Sequence, residues 1–161
     1  MESSPRSRTG EISSHISMIT VTVVQLIFFT RFHKYIAWYT TEPDGSVTRL
    51  SMLTSDYFTW LPIPIVASII AIVAFTVMIF YDNYRFRMTA HIIIFIIGIA
   101  VSLSLVAIFP FDFSVIPNAT AVDVVPIVVT VFFILLAVFY GVTALVQFAQ
   151  LRSYAAEQET Q

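Results

Sequence analysis

Three long stretches of this chain contain no Asp, Glu, Lys or Arg: Trp60–Tyr81, Met88–Phe109 and Val124–Phe148. Their apolar residues follow one another without the polar interruptions of a water-facing helix or strand, which is the pattern of membrane spans. At about 1.5 Å per residue, each reaches across a hydrocarbon core of about 30 Å. A fourth, shorter uncharged stretch runs from Ile16 to Thr30. Arg31, His33 and Lys34 follow it, then Tyr35, Ile36, Trp38 and Tyr39. Long cations can snorkel and aromatic rings can anchor at an interface, so this span is expected to continue to Tyr39. A cleavable signal peptide is the competing reading of the same segment, although no small-x-small site follows it.

The connections set the topology. Asp82–Arg87 is too short for anything but antiparallel neighbours on either side of it. The expected fold is an all-α integral membrane protein with four transmembrane helices, about 16–39, 60–81, 88–109 and 124–148, in an antiparallel up-down bundle. Residues 1–15 read as a flexible polar tail, and residues 152–161 as a second tail after the last span. Arg6, Arg8, Arg85, Arg87 and Arg152 share one side, against Arg31, Lys34 and Arg49 on the other. The positive-inside bias makes the first side, with both termini, cytoplasmic.

Two loops then lie outside, 40–59 and 110–123. In the longer one, Glu42-Pro43-Asp44-Gly45 separates β-prone runs around Trp38-Tyr39 and Ser46–Leu50. Pro-Asp-Gly in that setting signals a turn, and a small external β-hairpin is expected, with an irregular loop as the alternative. A two-stranded hairpin is marginal alone, so it must lean on the shorter loop, on lipid headgroups or on another protein.

Composition sharpens the class. Of the 161 residues 58% are hydrophobic and 11% charged, where soluble domains carry about a quarter charged. The mean hydropathy is +0.86. With no cysteine, disulfides, thiolate metal sites and cysteine nucleophiles are excluded. A net charge of −2 with scattered charges offers no basic footprint for nucleic acid, and lipid is the partner that composition requires.

Candidate chemistry is sparse. Gln25 is the most polar side chain deep in a span and reads as an interhelical hydrogen bond. His33 falls on the outer side, away from His15 and His91, so the histidines cannot form one haem or metal site. Glu11, His15, Asp82 and His91 can meet at the inner ends of the helices, where capping and solvation account for them. The outer carboxylates Glu42, Asp44, Asp56, Asp112 and Asp123 lack the dense spacing of a calcium loop. No hydrolase elbow, zinc-protease pair or phosphate-binding glycine loop occurs. The chain is therefore expected to be non-enzymatic, with no cofactor and no metal. Asn118-Ala119-Thr120 fits a glycosylation sequon.

What the spans encode is packing. Small residues four apart, Ala67 and Ala71, Gly98 and Ser102, Ala100 and Ser104, Ala137 and Gly141, allow close approach of helix backbones. The order of parts, a longer first external loop entered through Trp38-Tyr39 and a tight arginine-bearing inner turn, resembles the claudin-like four-span proteins. The resemblance implies architecture only. The chain lacks the Gly-Leu-Trp and paired cysteines of claudins, so no residue role carries over. The expected function is an accessory or structural subunit of a larger membrane complex, its partners being the bilayer and other membrane subunits or itself. It would present Trp38, Tyr39, Asp44 and Gly45 outside. The alternative is a small homo-oligomeric channel or transporter lined by Thr76, Ser102, Ser104, Thr130 and Thr143.

Overall fold

The structure, a computed structural model, describes residues 8–159. The chain forms α1 (Arg8–Ile27), a π turn (Phe28–Phe32) and a 3₁₀ turn (His33–Tyr35). Strands β1 (Ala37–Thr41) and β2 (Val47–Ser51) follow, then α2 (Asp56–Trp60), α3 (Pro62–Phe80), α4 (Tyr84–Ile108) and α5 (Ala119–Glu159). Four helical segments are long and apolar enough to cross a membrane: Arg8–Tyr35, Asp56–Phe80, Tyr84–Ile108 and Ala119–Gln158.

Local chemistry explains most of the boundaries. Pro62 and Pro64 sit in the first turn of α3, where the amide hydrogens they lack would have no intrahelical acceptor. Asn83 caps α4 by accepting from the Phe86 amide at 3.1 Å. Asn118 does the same for α5, accepting from Ala121 at 3.1 Å, so the sequon asparagine is the helix cap. At the far end of α4, Phe109 adopts a left-handed conformation (φ 44°) and Pro110 prevents continuation.

Several boundaries differ from the sequence expectation: α2 begins at Asp56 and α5 at Ala119, inside the expected loops 40–59 and 110–123. Residues 8–15, expected as part of a flexible tail, are the first turns of α1. The first helical segment ends at Tyr35, so Trp38 and Tyr39 are strand, not span. At the other terminus, helix continues through 152–159 as part of α5. Residues 1–7 and 160–161 of the two expected tails, Arg6 among them, lie outside the described residues.

The helices pack in chain order, α1 on α3, α3 on α4 and α4 on α5, and the last seam is the most extensive. Among the described residues, no seam of comparable extent joins α1 to α5. Contacts at both ends show the antiparallel register. At one end Phe29 meets Trp60, and Phe133 packs on the cluster of Tyr57, Trp60 and Leu105. At the other end Ile19 and Ile94 pack on Phe75, Met78 and Ala90, and Tyr84 stacks near Tyr154. The start of α1 and the end of α5 therefore share the end opposite the hairpin.

Candidate interaction surface

The hairpin is built by its turn. Glu42 accepts from the Gly45 amide at 2.9 Å and its own amide donates to Ser46 at 2.8 Å. Pro43 presets the first central position, and Gly45 takes φ +81°, a conformation that strains residues with a Cβ. Asp44 Oδ1 accepts from the Ser46 amide at 2.9 Å and the Ser46 hydroxyl at 2.6 Å. The strands pair antiparallel, with Trp38 opposite Leu50 and Tyr39 opposite Arg49. Every residue of β2 is exposed, as are Trp38 and Tyr39. The ribbon thus leaves both faces and both outer edges open, with Trp38, Tyr39, Val47 and Leu50 as uncovered apolar area.

Its base is fixed to the second loop. Met52 donates to Ile36 at 3.2 Å, Asp112 donates to Met52 at 2.9 Å, and Thr54 donates to Pro110 at 3.1 Å. Leu53 and Phe111 form an antiparallel bridge between the loops. Asp112 repeats the Asp44 device, accepting from the amide and hydroxyl of Ser114. In both loops the serine hydroxyl, then the serine amide, holds the carboxylate below the usual aspartate range. The shorter loop therefore supplies the support that an isolated hairpin lacks.

Beneath this platform lies an aromatic collar. The π turn leaves the Phe29 carbonyl open to side chains, and Tyr57 Oη donates to it at 2.8 Å. His33 Nδ1 lies 3.1 Å from the same oxygen, and its ring stacks on Tyr57 at 5.2 Å. Trp60, 1% exposed, donates from Nε1 to Ser104 Oγ at 3.1 Å. Tyr57 was not legible as a functional position. The available signal was the aromatic run Tyr57-Phe58-Thr59-Trp60 just before the helix-starting Pro62.

At the end opposite the hairpin, Glu11 and Asp82 come together around Arg87, and His15 meets His91. Arg87 pairs closely with Glu11 and lies 3.8 Å from Asp82, while Arg8 reaches Asp82 at 4.0 Å. The rings of His15 and His91 are 6.0 Å apart, and each lies beside Phe75. His15 is buried, and its Nδ1 has no hydrogen-bond partner among the described residues. Among these residues no three of His, Asp and Glu gather as a metal site, and His33 sits at the hairpin end.

The small residues fall mostly inside the chain's own seams. Gly98 faces Tyr140 of α5, Gly141 faces Ile99 of α4, and Ser102 and Ala137 are buried. Ala71 packs with Phe75 and Met78, Ala67 is half-buried, and Ala100 is exposed. The hydroxyls of Thr76, Ser102 and Thr143 donate to carbonyls four residues back, and Ser104 to one three back. Thr130 instead borders an open groove of about 350 Å³ between α4 and α5, with Phe109 and Pro126. Gln25 is exposed on α1, and its amide has no hydrogen-bond partner among the described residues.

No family model matches this chain, nor does any curated protein or solved structure.

Proposed function

We propose that this chain is a multi-pass membrane protein without enzymatic activity, serving as an accessory or assembly subunit of a larger membrane complex. Its helices insert with both termini in the cytoplasm, and the hairpin platform faces outside. The observation that carries the reading is the platform itself, a ribbon with two open faces and two open edges, tied to the second loop by backbone hydrogen bonds. Unpaired strand edges and uncovered aromatic side chains invite a protein partner, either by strand addition or by aromatic contact. Orientation is supported by Arg8, Arg85, Arg87 and Arg152 at the terminal end against Arg31, Lys34 and Arg49 near the hairpin. The uncharged stretches Trp60–Tyr81, Met88–Phe109 and Val124–Phe148, in which His91 is the one histidine, supply lateral contact area.

The test is mild-detergent or nanodisc extraction at native expression level, followed by sizing and identification of co-migrating chains. Stoichiometric co-purification of other membrane subunits, lost on Trp38→Ala with Tyr39→Ala, is the expected result. A homogeneous assembly of this chain alone, unaffected by those substitutions, overturns the accessory-subunit reading and directs attention to flux assays.

A further inference from the structure

We propose that two copies of this chain associate through the first helical segment, Arg8–Tyr35, along Met18, Val21, Gln25 and Phe28, with the two Gln25 amides hydrogen-bonded to each other. The inference rests on the membrane reading above. These four residues follow one another at alternating three- and four-residue steps, the spacing of a left-handed helix–helix seam. All four are exposed, because this segment uses a different flank, with His15 and Ile19 of α1 and Phe29 of the π turn, to pack within the chain.

Gln25 stands out among the polar residues of its helix. Ser17, Thr20 and Thr22 each donate to the carbonyl four residues back and so satisfy themselves. The Gln25 amide has no such partner among the described residues, although it lies within the uncharged stretch Ile16–Thr30. An unpaired amide in hydrocarbon is costly, whereas α1 is already the least apolar of the four candidate spans.

A second copy is the occupant that answers this most directly. An amide carries both donor and acceptor, so two of them are mutually complementary. Copies inserted with the same topology hold Gln25 at the same depth, and a two-fold axis normal to the membrane brings the pair together. An unrelated helix would have to supply its own polar group at that depth. A single polar residue in an apolar seam also fixes its register.

Because the chain contains no cysteine, single-cysteine variants report proximity without background. In native membranes, oxidative cross-linking is expected for Val21→Cys, Gln25→Cys and Phe28→Cys. It should be weak for Val23→Cys and Ile27→Cys, which are exposed on another side of α1. In nanodiscs, Gln25→Leu is expected to weaken the dimer by about three- to twenty-fold, with Gln25→Asn retaining most of the affinity. Uniform or absent cross-linking in a sample that resists alkaline carbonate extraction overturns the dimer alone. An unchanged dimer in Gln25→Leu overturns the amide pairing. Release of the wild-type chain by carbonate overturns the membrane reading itself.

Discussion

Gly98 and Tyr140 meet so closely that a Cβ on residue 98 would stand 2.9 Å from Tyr140 Cδ2 and 3.0 Å from Cε2. The ring cannot simply swing its tip away, because the crowded atoms include Cγ at 3.2 Å. Gly98→Ala is therefore expected to destabilise the α4–α5 seam by about 1–2 kcal/mol, overpacking outweighing the gain in helix propensity. Tyr140→Leu should relieve most of that loss, so a double-mutant cycle of unfolding in detergent checks the pair directly. Gly141→Ala is expected to be nearly neutral, since its Cβ would lie 3.8 Å from Ile99.

Tyr57→Phe removes the hydroxyl that donates to the Phe29 carbonyl while keeping the ring stacked on His33. The expected loss is about 0.5–1.5 kcal/mol, that of one neutral hydrogen bond. Trp60→Ala deletes the ring in the same collar and should cost about 3–5 kcal/mol. Thermal unfolding followed by circular dichroism serves for Tyr57→Phe and Trp60→Ala alike.

In the hairpin, Gly45→Val is expected to cost about 1–2 kcal/mol, because the left-handed conformation crowds a Cβ. Asp44 and Asp112 give the loops a pH dependence. Their carboxyl groups titrate below the ordinary aspartate value in the folded chain. The stabilisation is therefore complete above that ordinary value and disappears as the pH falls through the depressed folded values. With the intrinsic pH dependence of exchange divided out, the protection of the Ser46 and Ser114 amides should fall on acidification, and Asp44→Asn should make the Ser46 protection insensitive to pH.

Breaking the pair of Arg87 and Glu11 strands one charge between α1 and α4. Arg87→Ala is expected to cost about 1–3 kcal/mol, between the values for exposed and buried pairs, since both side chains are about a quarter exposed. The exchange Glu11→Arg with Arg87→Glu should recover part of this, measured as resistance of α1 to limited proteolysis.

The long apolar helices over the stretches from Trp60, Met88 and Val124 were legible because absence of charge over twenty or more residues leaves few alternatives. The turn at Pro43-Asp44-Gly45 was legible because its chemistry is local. The start of α1 at Arg8 was not. Its first turns look like a solvated tail until Glu11 finds Arg87 and His15 finds Phe75, partners distant in sequence. The same limit hid the last turns of α5, where Gln158 meets Arg85 and Tyr154 meets Tyr84. Small residues at Gly98 and Ser102 announced a close helix contact but not which helix would fill it. The neighbour is α5 of the same chain.

The bridge between Leu53 and Phe111 also determines how load passes through the molecule. A pull on the hairpin tip runs through β1 to Ile36 and the first helical segment, and through β2 to Met52 and Thr54, where it divides. One branch continues along the chain into α2 and α3, and the other crosses to Pro110 and Asp112 and so to the left-handed Phe109 at the end of α4. Tension applied at one loop is thus shared by α3 and α4 as well as by the helical segment that precedes β1. The hairpin stands on three footings: the first helical segment through Ile36, α3 through α2, and the end of α4 through the second loop.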